Sequence, residues 1–167
     1  MGNYNSINAI CILKSEKENG TIYFHQCKPK LPVKLKFSLK GEPLKTHAIH
    51  IHEFGDMTNG CDTLGPHYNP YNTTHGSMLY NMERHAGDLI NNITFDKDGN
   101  FQFEYEDHLL NLYPNSDNIL GRSIVIHEKV DDLGLGQGDR RKESLITGNA
   151  GKRICCAIIG LAESSHF

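Results

Sequence analysis

His50 and His52 stand one residue apart in the run His47-Ala48-Ile49-His50-Ile51-His52-Glu53-Phe54. The run carries strand-like residues, among them Ile49 and Ile51, and strand side chains alternate with period 2, so both imidazoles point to one face. Neutral imidazole is the commonest protein metal ligand. The plainer alternative is a surface strand with two titrating histidines. Against it stand His67, His75, His85, Asp88 and His127, further along the same chain. Six histidines and one carboxylate exceed the needs of a single four-coordinate zinc. They suit two metals a few ångströms apart with one ligand shared, because an imidazole deprotonated at both nitrogens bridges two cations. An all-imidazole set suits copper, and zinc accepts nitrogen and carboxylate oxygen alike. His85-Ala86-Gly87-Asp88 offers such a mixed pair three residues apart.

Rigid elements must hold these groups, and period 2 dominates the chain. Strands are predicted at Ala9 to Lys14, Gly20 to Gln26, Val33 to Lys40 and Thr46 to Glu53. Further strands are predicted at Gly87 to Asp96, Phe101 to Glu106, Arg122 to His127 and Ile154 to Leu161. Val33-Lys34-Leu35-Lys36-Phe37-Ser38-Leu39-Lys40 alternates cleanly, as a half-buried strand does. Asp98-Gly99 between two runs is a hairpin signal. The stretches Phe54 to Arg84 and Asp131 to Gly151 read as long loops, and loops of that length in a compact domain are often functional. The aperiodic first loop needs an organising agent, a metal or a disulfide. Eight short strands and no convincing long helix make an all-β, antiparallel sandwich or flattened barrel, with long connections suited to Greek-key crossings.

The 167 residues fit one domain, taken as 1–167. Net charge is -3, which argues against a nucleic-acid binder. No apolar run approaches the roughly 20 residues of a membrane span. The N-terminus lacks the features of a signal peptide. Met1-Gly2-Asn3-Tyr4-Asn5-Ser6 fits a loose myristoylation pattern of a kind that short sequences match by accident. Cys11, Cys27, Cys61, Cys155 and Cys156 are an odd number, which suggests mostly free thiols in an intracellular chain.

In order and spacing, the sequence resembles the copper/zinc superoxide dismutases over essentially its whole length. The matching stretches begin with His50-Ile51-His52-Glu53-Phe54-Gly55-Asp56, Gly60-Cys61 and Gly65-Pro66-His67-Tyr68-Asn69-Pro70. They continue with Glu83-Arg84-His85-Ala86-Gly87-Asp88-Leu89, Val125-Ile126-His127-Glu128-Lys129 and Asp131-Asp132-Leu133-Gly134. Gly148-Asn149-Ala150-Gly151-Lys152-Arg153 and Cys156 complete the set. The resemblance implies an immunoglobulin-like, eight-stranded Greek-key barrel that disproportionates superoxide to dioxygen and hydrogen peroxide by Cu(II)/Cu(I) cycling. It implies copper on His50, His52, His67 and His127, and zinc on His67, His75, His85 and Asp88, with His67 as the bridge. Asp131 matches a carboxylate linking His50 to His75. Arg153 matches the guanidinium beside the open copper position, and Cys61 and Cys156 match the family disulfide. Electrostatic steering of the superoxide anion is a familiar property of this enzyme family. A cytoplasmic homodimer is also implied, using Phe54, Ile119, Leu120, Gly121, Ile159 and Leu161, with a copper chaperone as a further partner.

Several positions read otherwise. His47 matches a structural position. His25, His108 and His166 read as surface residues, Cys11 as a small buried hydrophobe and Cys27 as a free thiol. Alternation turns Cys155 away from the disulfide partner, and Cys61–Cys155 is the weaker pairing. Ile146 stands where many relatives carry lysine, so Arg140, Arg141 and Lys142 are either a substitute positive field or a solvated charge run. The His75-to-His85 spacing is one residue longer than in familiar members. Two rival readings fit less well. A single-metal cupin or carbonic anhydrase leaves His85 to Asp88 unexplained. A non-enzymatic metal-binding relative would lack copper ligands or the arginine.

Overall fold

The computed structural model describes residues 5–80, 83–164 and 167; His166 and most of the myristoylation pattern lie outside them. The strands are β1 (Ile7–Lys14), β2 (Asn19–Gln26), β3 (Val33–Lys40), β4 (Thr46–His52), β5 (Asn92–Thr94), β6 (Asn100–Asp107), β7 (Ser123–His127) and β8 (Arg153–Leu161). Among the described residues one α-helix, α1, spans Arg141–Thr147. The strands form one antiparallel, nearly closed barrel in the order β5-β4-β7-β8-β1-β2-β3-β6, with the crossings of a Greek key. No described helix is long and apolar enough to cross a membrane.

Alternation builds the core. Leu35, Phe37 and Leu39 of β3 point inward with Ile22 and Phe24 of β2, while Lys34 and Lys36 face out and pair with Glu106 and Glu104 of β6. On β4, Ile49 and Ile51 join the core, and on β7 Ile124 and Ile126 do so. The opposite faces of those two strands therefore carry His50, His52 and His127. Register pairs His50 with Val125 and His52 with Ser123, and an irregularity follows Ile126. These outer faces are buried as well, because the two long loops cover them.

Four expectations change. Gly87 to Asp96 is strand only at Asn92–Thr94, since Ala86–Asp88 forms a 3-10 turn and Leu89 and Asn91 adopt positive φ. The turn at Asp98-Gly99 exists, with the Asp96 N–H donating to the Asn100 carbonyl at 2.8 Å. Yet β5 ladders with β4 and β6 with β3, so no paired hairpin results. The second long loop holds α1, which two apolar residues, Leu145 and Ile146, could not announce. Ile119 and Ile159 are also buried in the core rather than outward-facing; Phe54, Ile158 and Leu161 are the exposed apolar residues of that region.

Candidate metal centre

Among the described residues, two four-membered groups of ligand atoms form where the loops cover β4 and β7, and a smaller third, His50, His75 and Asp131, lies between them. His50, His52, His67 and His127 make one, and His67, His75, His85 and Asp88 make the other; within each, the ligand atoms lie within 4.8 Å of one another, and every member is buried. His67 belongs to both. All seven candidates are thus brought together.

Hydrogen bonds fix which nitrogen of each ring carries the proton. His52 Nδ1 meets the Gly65 carbonyl at 2.8 Å, and His127 Nδ1 meets the Gly151 carbonyl at 3.1 Å. A carbonyl only accepts, so both rings donate from Nδ1 and keep a lone pair on Nε2. Those two Nε2 atoms face each other at 3.2 Å. His50 donates from Nε2 to Asp131 at 2.7 Å, leaving its Nδ1 as a lone pair. Among the described residues, His50 Nδ1 and His67 Nε2 are buried with no hydrogen-bond partner. Burial holds His50 and His52 well below the usual histidine value, helped by His67, and pushes His127 down to about 4. Four uncharged rings therefore aim unprotonated nitrogens at one point. Buried lone pairs that face one another are costly unless a cation accepts them. This donor set fits a copper ion.

The second group centres on one oxygen. Asp88 Oδ1 lies 3.1, 2.9 and 3.0 Å from the Nδ1 atoms of His67, His75 and His85. Asp88 Oδ2 accepts the backbone N–H groups of His85 and Gly76. Burial alone would raise the Asp88 carboxyl, but the three imidazoles outweigh it and hold it well below the carboxylate range. Burial likewise opposes charge on His75, yet Asp131 and Asp88 push that ring up to about 9. A second proton on His75 and a metal at its Nδ1 are alternative ways to satisfy Asp88. Three imidazole nitrogens and one carboxylate oxygen fit tetrahedral zinc.

Asp131 ties the groups together. Its Oδ2 accepts from His50 and its Oδ1 accepts from His75 Nε2 at 2.8 Å. Gly148, with φ +65, caps α1 against this contact. A Cβ there would come within 2.6 Å of His75 Nε2, so only glycine fits. The backbone N–H of His75 donates to the Leu145 carbonyl of α1 at 2.9 Å, which docks the second loop on the first.

Arg153 opens β8. It donates to the carbonyls of Cys61 and Gly65 at 2.7 and 2.6 Å, leaving the rest of its guanidinium toward a cavity of about 320 Å3. His52, His67 and His127 form the floor of that cavity, and Lys129, Glu143 and Ile146 stand at its walls. Arg140, Arg141 and Lys142 are not among its lining residues, and Arg141 donates to the Gly134 carbonyl. Cys61 and Cys156 form the disulfide, with Cα atoms 5.9 Å apart; Cys11 and Cys155 are buried free thiols, and Cys27 is an exposed one. His47 Nδ1 donates to the His127 carbonyl at 2.9 Å, a supporting contact. His25 bonds Asn8, and His108 is exposed.

Sequence reasoning missed three supports. Arg84 and Asp107 form a buried pair at 2.7 Å, and Arg84 also donates to the carbonyls of His85 and Ala86. Asn92 bonds the backbone of Asp131 on both sides. Asn91 is fully buried beside the same residue. Asn-Asn reads only as a loop signal, and nothing local marks either residue as part of a site.

Known proteins agree with this geometry. The profile of the family described as copper/zinc superoxide dismutase (SODC) matches residues 18–159. A copper-zinc superoxide dismutase of Onchocerca volvulus is 46% identical over 161 residues, 96% of this chain and 99% of that one. An extracellular copper-zinc superoxide dismutase of Brugia pahangi is also 46% identical, over 92% of this chain and 76% of its own. The crystal structure of the clock protein EA4 superposes with a TM-score of 0.85 at 34% identity, covering 97% of this chain and 99% of that chain. A paired histidine centre on a Greek-key barrel, matched along nearly its full length by such relatives, means that the chain belongs to the copper/zinc superoxide dismutase family.

Proposed function

We propose that this chain, as a single domain over 1–167, disproportionates superoxide with copper on His50, His52, His67 and His127 and zinc on His67, His75, His85 and Asp88. The observation that carries the reading is the convergence of four buried, unprotonated imidazole nitrogens beside a second, carboxylate-centred group that shares His67. Copper, when bound, supplies the one-electron couple: one superoxide leaves as dioxygen, and a second takes the electron and two protons and leaves as hydrogen peroxide.

The protein's own residues do the rest. Arg153, a permanent cation clamped by two carbonyls, anchors a small anion at a fixed distance from His52 and His127. His67 holds its Nδ1 against Asp88, so its Nε2 is the atom at which a proton is held between half-reactions. Asp131 orients His50 and His75 and raises their basicity as ligands.

Phe54, Ile158 and Leu161, exposed beside Leu120 and Gly121, are the surface through which an isologous homodimer would form. The three free thiols fit a reducing, cytoplasmic location, in which the Cys61–Cys156 disulfide would be an exception to the usual rule. Loading by a copper chaperone is carried over from the family resemblance.

The deciding experiment is superoxide consumption before and after copper reconstitution of zinc-loaded protein. Activity should appear with one copper per chain. Metal analysis that finds zinc alone after copper loading would refute the assignment. Arg153→Glu should cut the rate and invert its salt dependence; an unchanged salt profile removes Arg153 from the anion's path.

A further inference from the structure

Asn91 occupies the loop just before β5 in an unusual state. It is fully buried, and its φ is +61. Its backbone N–H donates to the Asp88 carbonyl at 2.8 Å, and its own carbonyl accepts from Ile49 of β4 at 2.8 Å. Its side-chain Nδ2 donates twice, to the Gly76 carbonyl at 2.9 Å and to Asp131 Oδ2 at 3.0 Å. Both partners only accept, so the orientation of the amide is unambiguous. The same orientation leaves Asn91 Oδ1 buried with no partner among the described residues. A residue that merely filled space would not hold a buried carbonyl unpaired.

Asp131 explains the arrangement. A carboxylate offers about four lone-pair sites. Asp131 Oδ1 accepts from His75 Nε2 and from the Leu133 N–H, at 2.8 and 2.7 Å. Its Oδ2 accepts from His50 Nε2 and from Asn91. Two donors are the rings being oriented, and a third is backbone from the loop of Asp131 itself. Among the described residues, Asn91 alone reaches this carboxylate with a hydrogen bond from outside those elements. Its other amide proton holds the carbonyl of Gly76, the residue next to His75.

We propose that Asn91 is a positioning residue of the metal centre. One amide fixes the tilt of the Asp131 carboxylate and the course of the chain beside His75, and through them the aim of His50 and His75. The residue type follows from two demands. Positive φ favours Gly, Asn and Asp over other residues, although Leu89 and Leu133 also adopt it in this chain. Two acceptors to satisfy exclude Gly, which has no side chain, and Asp, which has no donor when ionised. Asn meets both demands with the least backbone strain.

The proposal rests on the ligand assignment above, and its test separates the two. Wild type, Asn91→Gly and Asn91→Asp are loaded with zinc alone and competed with a chelator. Asn91→Gly keeps the backbone and removes the amide; Asn91→Asp keeps the shape and turns an acceptor on Asp131. Both should bind zinc about 10- to 100-fold more weakly, Asp at least as weakly as Gly. After copper addition, both should change the Cu(II) electron paramagnetic resonance spectrum, because His50 hangs on the same carboxylate. A space-filling role would lower thermal stability and leave that spectrum alone.

Variants that hold zinc as tightly as wild type, with an unaltered copper spectrum, overturn the proposal. Wild type that takes no zinc overturns the ligand assignment instead. If neither variant folds, proton exchange at the Asn91 side-chain amide of zinc-loaded wild type decides by nitrogen-15 NMR. Slow exchange is expected, and exchange as fast as in a free amide removes Asn91 from the network.

Discussion

The two ligand groups are built on different foundations. On the copper side, His50 and His52 sit on β4 and His127 ends β7, and the inward neighbours of all three are core isoleucines. On the zinc side, His67, His75, His85 and Asp88 all lie between β4 and β5, on chain that is mostly without regular structure. The first group is aimed by the same alternation that builds the barrel. The second is held by Asp88, by the disulfide and by hydrogen bonds between loops. Strand-borne ligands are placed once the sheet forms; loop-borne ligands need each other, and a cation makes them mutually compatible.

The contrast yields four expectations, from the largest effect to the smallest. His127→Ala removes one strand-borne nitrogen from a scaffold that does not depend on it. Dismutation should vanish while zinc content and thermal midpoint stay close to wild type; a variant that loses zinc too would mean the groups are not separately founded. Asp88→Ala removes the oxygen on which three rings converge. Zinc affinity should fall by at least about 100-fold, and amide exchange should accelerate between β4 and β5 while β4 and β7 stay protected. Uniform acceleration would mean that strands and loops depend on the zinc alike.

Cys61→Ser cuts a link that spans 95 residues and ties the first loop to β8. By the chain-entropy account the loss is about 4 to 5 kcal/mol, read from denaturant unfolding of the zinc-loaded protein. An unchanged midpoint would show that the metal alone organises the loop. Ile146→Lys adds a cation at a cavity wall that already has Lys129 and Glu143. The rate should rise a few-fold at low ionic strength and the gain should fade with added salt, since the screening length is about 10 Å at 0.1 M. A gain that survives high salt would point to shape rather than charge.

The same division governs what could be read in advance. His50 and His52 were legible because period 2 puts them on one face while Ile49 and Ile51 take the other. The barrel was legible from Val33 to Lys40 and its like for the same reason. His67, His75, His85 and Asp88 were visible as residue types, but their convergence is a tertiary fact that only resemblance to a family could supply. α1 escaped because its stability is not local: Ser144 donates to Asp132 at 2.7 Å, and Gly148 ends the helix against Asp131. Gly87 to Asp96 looked like strand because its apolar residues are real. The turn at Ala86–Asp88 and the left-handed Asn91 are imposed by contacts with distant parts of the chain.

His67 and Asp131 each touch both groups, and this has a thermodynamic corollary. Binding energies coupled through a shared residue are reciprocal: any factor by which zinc tightens copper must equal the factor by which copper tightens zinc. A chain that meets the two ions in either order arrives at the same final complex, and only the populations of half-loaded intermediates record the history.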